Sequence, residues 1–306
     1  MELTLLVTNQ ILIMMMLIIV GFICYKLKLI TSEVNAKLSA LLLSLINPVL
    51  ILTSYQTEFH MEQLIGLLTA FLLAAASVLI SIILAQFLIR KSPMENRPIE
   101  RFSIIYTNCG FMGIPLVNGV FGAQGVFYLT SYLTVFNLLL WTHGIIIMKG
   151  DKSLRGILNV IKTPAIVATV LGLILFVTRI SLPGTLLKTL NYIGGMNTPM
   201  AMIVAGATIA QTNIFKAFVG LRIYWVSLIR LLIVPLLTLL LFSFLPVDKT
   251  IMMTIVIASA CPAAASATLF AIKYGKNSIY ASEIFAVTTI LSVVTLPFIV
   301  FFAGVF

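Results

Sequence analysis

Long apolar stretches dominate this sequence and constrain its fold more than any other feature. An α-helix needs about 20 apolar residues to cross a hydrocarbon layer of about 30 Å, and ten stretches of that length are bounded by charges or turn residues. Charged residues make up only 9% of the 306 residues, too few to cover a water-soluble domain. The sequence therefore predicts an all-α membrane protein. Its ten spans are expected at 3–24, 38–56, 64–89, 102–118, 123–148, 158–178, 185–210, 218–244, 250–272 and 278–303.

The distribution of basic residues predicts how these spans are oriented. All but four of the 19 Lys and Arg residues fall in the loops after spans 1, 3, 5, 7 and 9, which share one side of the membrane. Because cytoplasmic loops carry the excess of basic residues, we expect these loops in the cytoplasm and both termini outside it. The four exceptions are Arg179, Lys188 and Lys249 on the opposite side and Arg230 near the middle of span 8.

Few residues suggest metal or cofactor chemistry. Cys24, Cys109 and Cys261 are far apart, and neither His60 nor His143 has a neighbour at ligand spacing. The basic residues form no patch that would track the phosphates of a nucleic acid. We therefore expect no cofactor and no nucleic-acid partner. A membrane-embedded enzyme that modifies lipids would need an acid–base pair or metal ligands near one interface, and the sequence contains no such cluster.

The two halves of the chain share landmarks at separations of 147 to 153 residues. Each half contains five spans, an odd number, so the second half must enter the membrane from the opposite side. That arrangement is the inverted repeat of secondary transporters. We expect a first repeat at 1–148, a cytoplasmic linker at 149–157 and a second repeat at 158–306. The landmarks are Asn47-Pro48 with Thr198-Pro199, Pro115 with Pro262, and Phe121-Gly122 with Tyr274-Gly275.

Spans 4 and 9 contain residues that break helices. Proline removes a backbone donor and crowds the preceding turn, and glycine allows non-helical angles without strain. We predict that both spans break at mid-depth and cross, because small residues around the break in span 9 permit close approach. The exposed N–H groups of a half-helix would then form a site for an anion. The candidate substrate contacts at the two breaks are Asn108, Gly110, Gly113 and Pro115 in span 4 and Cys261 and Pro262 in span 9.

Several polar residues inside the spans have more than one interpretation. Arg230 needs a partner or a cavity at mid-depth. It could form a salt bridge with Glu283 of span 10, clamp a substrate carboxylate, or extend to the membrane surface. Glu283 could instead couple transport to protons. Hydrogen bonding between helices is the favoured role of Asn47, Asn137 and Asn197. Asn137 is also a candidate substrate contact.

The motif of span 4 resembles the fourth helix of the auxin efflux carrier family, which includes plant PIN exporters and bacterial carriers of malate and malonate. The likeness extends over nearly the whole chain. One departure is Ala263, where the plant exporters have a polar residue, and the chain also lacks their long loop between helices 5 and 6, so auxin itself is doubtful as the substrate. The residues that carry the likeness are Asn108, Gly110, Phe111, Gly113, Pro115, Phe121-Gly122, Lys162-Thr163-Pro164, Pro262, Lys273-Tyr274-Gly275 and Leu296-Pro297.

The resemblance implies a PIN-like fold, shared with bile-acid symporters, of ten helices in two inverted repeats. Helices 1, 2, 6 and 7 would form a scaffold, helices 3–5 and 8–10 would move as an elevator, and the protein would form homodimers. Family substrate contacts carry over to Asn108, Pro115 and Pro262. We expect a carrier of small organic anions, either mono- or dicarboxylates such as malate or auxin-like acids, in a bacterial cytoplasmic membrane. Proton or sodium coupling stays open, and an anion channel is an alternative.

Overall fold

The computed structural model describes residues 2–90, 92–150, 163–212 and 217–304. Within these ranges every regular element is helical. Large apolar side chains such as Leu72, Ile279 and Val294 are about 70% exposed, as expected for residues that face lipid. The protein is therefore a multi-pass membrane protein. By length and composition, seven helical runs can cross a membrane: Thr4–Lys26, Ser32–Ser54, Met61–Leu88, Cys109–Lys149, Gly184–Ala210, Leu221–Phe242 and Ser278–Ala303.

Within the described residues, the first half contains seven α-helices and three single turns of π-helix. Thr31 caps the N-terminus of α2, because its hydroxyl accepts the backbone N–H of Val34. The π-helical turns, 42–46, 109–113 and 140–144, lie before α3, α6 and α7 respectively. The helices are α1 (Glu2–Lys26), α2 (Ser32–Leu41), α3 (Asn47–Ser54), α4 (Met61–Leu88), α5 (Arg97–Ile105), α6 (Ile114–Leu139) and α7 (Ile145–Lys149).

The second half, as far as it is described, contains eight α-helices and a π-helical turn at 229–233. Side chains of Asp248 and Asn277 cap two of these helices by accepting backbone N–H groups of the first turn. The helices are α8 (Pro164–Thr178), α9 (Gly184–Gly195), α10 (Asn197–Ala210), α11 (Leu221–Leu228), α12 (Val234–Phe242), α13 (Lys249–Ala260), α14 (Ser266–Lys273) and α15 (Ser278–Ala303).

The predicted spans correspond unevenly to these helices. Span 4 is divided between α5 and the 41-residue run Cys109–Lys149, which also contains span 5 and bends at Gly122 with φ 60°. Span 9 is divided between α13 and α14, and span 6 is the 15-residue α8. The count of ten membrane crossings stays a prediction. The linker beyond residue 150 and the first residues of span 6 lie outside the described residues.

One boundary is displaced for a physical reason. The sequence predicts that span 4 begins at residue 102, because the preceding segment carries three charges, but α5 begins at Arg97. Glu100 is fully buried in this helix and forms a two-oxygen ion pair with Arg222, with nitrogen–oxygen distances of 2.9 to 3.1 Å. Tyr280 donates a further hydrogen bond to the same carboxylate at 3.0 Å. Pairing therefore allows a charged segment to lie inside the helical core.

Close backbone packing joins α1 to α10. A Cβ at Gly21 would overlap the carbonyl of Ile203, and one at Gly206 would overlap the carbonyl of Ile18. Helices in lipid associate through such small residues because apolar contact alone gives little advantage over contact with lipid. The helix α3 packs against α8 and α9, and α13 packs against α4 and α6.

Candidate functional site

The two interrupted helices meet, and their free backbone groups pair with each other. The helix α5 ends at Ile105 and α13 ends at Ala260. Asn108 N–H donates to the carbonyl of Pro262 at 2.8 Å, and Ala264 N–H donates to the carbonyl of Tyr106 at 2.9 Å. Thr107 and Ala263 thereby form an isolated antiparallel bridge. Because an unpaired backbone group in lipid costs several kcal/mol, this bridge is what allows both helices to break at the same place.

Arg230 holds the C-terminal ends of both first half-helices. Its side chain is fully buried, and Nη1 donates to the carbonyl of Ile104 at 2.6 Å while Nε donates to the carbonyl of Cys261 at 3.2 Å. These carbonyls lie where a helix lacks internal partners and carries partial negative charge. No carboxylate among the described residues forms an ion pair with Arg230; the half-buried Glu283 lies in the first turns of α15. Two helix termini thus bind Nε and Nη1 of the guanidinium, while Nη2 has no hydrogen-bond partner among the described residues.

Two buried amides connect α3 and α10 to the break in span 4. Asn197 Nδ2 donates to Asn47 Oδ1 at 2.6 Å, and Asn47 Nδ2 donates to the carbonyl of Gly110 at 3.4 Å. The hydrogen bonding between helices that was expected for Asn47 and Asn197 is present. Because the second bond reaches the π-helical turn at 109–113, these helices contact the crossover directly.

A cavity of about 360 Å³ lies against the crossover. Thr107, Asn108 and Gly110 of the first break line it, together with Ala264 and Ser266 of the second. Other walls come from α6 and α14, from the π-helical turn at 140–144 and from the residues at the start of α8. Most of the lining is apolar or aromatic, and the remaining polar or charged side chains are Asn137, Thr163 and Lys273.

Three polar atoms at the cavity have no hydrogen-bond partner among the described residues. They are Thr107 Oγ1, Asn108 Nδ2 and Ser266 Oγ, and each atom is buried. Buried polar groups are nearly always hydrogen bonded, so a group left unpaired needs an explanation such as a bound ligand or water. The space beside them is open, since a Cβ added at Gly110 would meet no atom within 4 Å. The arrangement can donate hydrogen bonds from both interrupted helices to one small acceptor group.

Some of the predicted site residues line the cavity, and the others lie outside it. Asn108, Gly110 and Asn137 line the cavity. Asn137 also donates to the carbonyl of Leu133 in its own helix at 2.8 Å. The others do not line this cavity; Glu283 is half-buried, and the rest are buried. Gly113 packs against the thiol of Cys261, Pro115 follows the π-helical turn, Pro262 supplies a bridge carbonyl, and Arg230 lies among the ends of the half-helices.

Sequence reasoning did not select three residues that line the cavity. Thr107 and Ser266 are ordinary hydroxyl residues in apolar segments, and only their positions beside a break mark them out. Lys273 was counted among the basic residues that set orientation, yet it is a charged side chain at the rim. A search for polar residues within one helical turn of each predicted break would have found Thr107 and Ser266. Among the described residues, no group of three His, Cys, Asp or Glu side chains could hold a metal ion.

Comparison with known proteins gives two findings. A family described as membrane transport protein matches this chain at residues 6–156 and 153–300. An uncharacterized transporter from Methanothermobacter thermautotrophicus is 24% identical over 299 residues, which cover 95% of this chain and 96% of that protein. The two matched stretches meet within the linker that the sequence predicts between the repeats.

Proposed function

Because the chain belongs to the auxin efflux carrier family of membrane transport proteins, we propose that it is a secondary transporter of small organic anions. The anion would be held in the cavity beside the crossover of the two interrupted helices. Transport by members of this family makes a carrier a better account than an enzyme. The alternative of a lipid-modifying enzyme has no supporting cluster of catalytic groups in the described residues.

One observation carries this proposal: three residues from the two breaks, each with a buried and unpartnered side-chain polar atom, line one cavity. Asn108 Nδ2 is an obligatory donor, and the hydroxyls of Thr107 and Ser266 can each donate one hydrogen bond. A carboxylate accepts through two oxygens and has no donor of its own, so it matches such a set. A nearby half-helix N-terminus adds positive partial charge. The fully buried charge of Arg230 on the other side of the crossover adds to the same potential.

The cavity walls favour a monocarboxylate over a dicarboxylate such as malate. Aromatic side chains of Phe111, Phe136, Trp141 and Phe270 make up much of the lining, and Lys273 is the single charged residue that lines this cavity in the described chain. A dicarboxylate would bring two negative charges into a cavity whose lining supplies one cation among mostly apolar walls, and burying an unpaired charge is costly. We therefore propose an organic acid with one carboxylate and an apolar body.

Corresponding positions in the two halves support the inverted-repeat arrangement. Gly122 and Gly275 share positive φ angles of 60° and 63°, and they occupy equivalent places after the two interrupted spans. Thr107 and Ala263 pair across the crossover, and Asn47 bonds to Asn197 at a separation of 150 residues. Contacts between corresponding segments, here α3 with α10 and one break with the other, are expected where a pseudo-two-fold axis passes through a molecule.

The proposed elevator motion would carry the crossover past a scaffold made of spans 1, 2, 6 and 7. Among the described residues, three hydrogen bonds join the predicted scaffold to the predicted moving part. They are Asn47 to Gly110, Tyr55 to Thr130 at 2.6 Å, and Gln10 to the carbonyl of Pro115 at 3.5 Å. All three would break during each transport cycle. The cavity adjoins Lys273 and the start of α8, which belong to the predicted cytoplasmic side, so this structure would represent the inward-open state.

An inside-negative membrane potential drives a monovalent anion outward with about 2.3 kcal/mol per 100 mV. Efflux would therefore need no coupling ion. No acidic side chain lines the cavity within the described chain, which favours efflux without protonation of a cavity carboxylate. Whether Glu283 couples transport to protons stays a separate question that a pH gradient would answer.

Counterflow in proteoliposomes tests the proposal. Vesicles loaded with benzoate should accumulate radiolabelled benzoate through the wild-type protein, and malate should exchange less well. Asn108→Leu removes one donor and should lower the exchange rate by about tenfold, in line with about 1–3 kcal/mol for an unmet hydrogen bond. Asn191→Leu makes the same change at an exposed position outside the cavity and should exchange at the wild-type rate. Equal rates for both variants would overturn the assignment of the site.

A further inference from the structure

A second cavity lies against α5 and shares no lining residue with the crossover cavity. Its volume is about 400 Å³, and it lies between the end of α4, the start of α5 and the region around α7. Its charged or titratable lining residues are Arg97, Arg101 and His143, and no acidic residue is among the lining. The loops that border it are on the predicted cytoplasmic side of the membrane.

The positive charge of this second cavity is not neutralised within the described protein. Arg97 and Arg101 lie one helical turn apart on α5, and the charges of Arg97 and Arg90 both act on Arg101. The Nε atoms of Arg97 and Arg101 are buried and have no hydrogen-bond partner in the described chain. Glu100 lies between them in sequence, but its carboxylate is already bound by Arg222 and Tyr280.

The backbone adds to this potential. The second cavity includes Arg97 and Pro98, the first residues of α5, so the positive end of that helix faces the same region. The side chain of Asn96 at the N-cap makes no capping hydrogen bond. Arg97 Nη2 donates to the carbonyl of Ser92 at 2.9 Å, and neither guanidinium forms an ion pair with a carboxylate in the described chain. Two such guanidinium groups, a positively charged helix terminus and a cavity of this size form a site for an anion with several oxygens, such as a phosphate group.

The surroundings indicate where that phosphate comes from. Met94 lines the second cavity and is 84% exposed. Phe87 follows the lining residue Gln86 in α4 and is 59% exposed, and Arg90 stacks over its ring at 4.6 Å. Exposed apolar side chains next to cationic ones are typical of a surface that contacts lipid, with the cation at the level of the headgroups. A soluble phosphate compound would gain nothing from these apolar neighbours.

We propose that the second cavity binds the phosphate headgroup of an anionic phospholipid in the cytoplasmic leaflet. Arg97 and Arg101 contact the phosphate oxygens, Arg90 contributes electrostatic attraction, and the exposed apolar side chains contact the acyl chains. The bound lipid lies against α4, α5 and α7, all of which belong to the predicted moving part. The transporter therefore carries a lipid site that is distinct from its substrate cavity.

Lipid titration followed by native mass spectrometry tests this proposal on the full-length protein in detergent. Phosphatidylglycerol should bind with an apparent affinity clearly above that of phosphatidylcholine. Arg101→Gln should weaken phosphatidylglycerol binding by about fivefold, which is the effect of one basic residue near an anionic lipid surface. The double variant with Arg97→Gln and Arg101→Gln should weaken it by about 25-fold. Arg101→Lys keeps the charge and should retain most of the affinity.

The matched control is Lys188→Gln, which removes one exposed basic residue on the opposite side of the membrane and should leave phosphatidylglycerol binding unchanged. Far-UV circular dichroism confirms that each variant is folded. Three outcomes would overturn the proposal: equal affinity for the two lipids, unchanged phosphatidylglycerol affinity in the double variant, or competition by inorganic phosphate at millimolar concentration. The last outcome would assign the site to a soluble phosphate compound.

Discussion

Replacing Arg230 with methionine removes the side chain that joins the two first half-helices. The guanidinium donates to the carbonyls of Ile104 and Cys261 at 2.6 and 3.2 Å, and both carbonyls would lose their partner. Methionine has a flexible unbranched side chain that can fill much of the same volume, so the change removes hydrogen bonds and charge without leaving a large void.

The expected loss of stability follows from these two bonds. A hydrogen bond to a charged group contributes about 1.5–3 kcal/mol, so two contribute about 3–6 kcal/mol. Because the variant no longer desolvates a buried charge, part of this loss is offset, and we expect a net destabilisation of about 3 kcal/mol. The entropy of unfolding is about 2.1 cal/mol/K per residue. Dividing the loss of about 3 kcal/mol by this entropy for 306 residues gives a fall in Tm of about 5 °C.

Thermal unfolding of the purified protein in detergent measures this effect. Arg230→Lys keeps a charge but can reach fewer carbonyls in one geometry, so its Tm should lie between those of the wild type and Arg230→Met. Arg179→Met is the matched control, because Arg179 is exposed and stacks over Phe59, and it should lower Tm by no more than about 1 °C. If Arg230→Met melts within 1 °C of the wild type, Arg230 does not hold the crossover together.

Three further changes test other parts of the structure. Gly206→Val places a side chain against the backbone of α1, so it should lower Tm by several degrees or prevent folding, which size-exclusion chromatography detects. A normal elution profile with an unchanged Tm would contradict the close contact between α1 and α10. Glu100→Gln weakens the bond to Arg222 and should destabilise the protein by about 1–3 kcal/mol in the same melting assay, whereas an unchanged Tm would show that the buried pair contributes nothing. Tyr55→Phe removes the bond to Thr130, which the elevator must break, and should raise the exchange rate in proteoliposomes; a lower rate would argue against that motion.

The positions of the helix breaks could be predicted because their causes are local. Glycines at 110 and 113 and prolines at 115 and 262 act through their own backbone chemistry, which does not depend on the rest of the fold. The apolar length of each span is likewise a property of the sequence alone. These local features were enough to place the crossover and to identify Asn108 beside it.

The partners of Arg230 could not be predicted from side-chain chemistry. A partner for a buried arginine is sought among the acidic side chains, and Glu283 was the acid available inside a span. In the structure, Arg230 instead donates its hydrogen bonds to the backbone carbonyls of Ile104 and Cys261. Which carbonyls are free depends on where two distant helices end and how they cross. The burial of Glu100 was missed for a related reason. A charged residue is assigned to a loop when its ion-pair partner on another helix is not known.

A cysteine at Gly110 tests most directly whether the crossover cavity binds the transported anion. A Cβ there meets no atom within 4 Å, and both Cys109 and Cys261 are buried, so a Gly110→Cys variant that also carries Cys24→Ser has one accessible thiol. A small thiol reagent should label this cysteine, and a carboxylate that the protein exchanges should slow the labelling. The control is Gly184→Cys in the same background, an exposed position whose labelling the carboxylate should not affect. An exchanged carboxylate that leaves labelling at position 110 unchanged would show that the anion binds elsewhere.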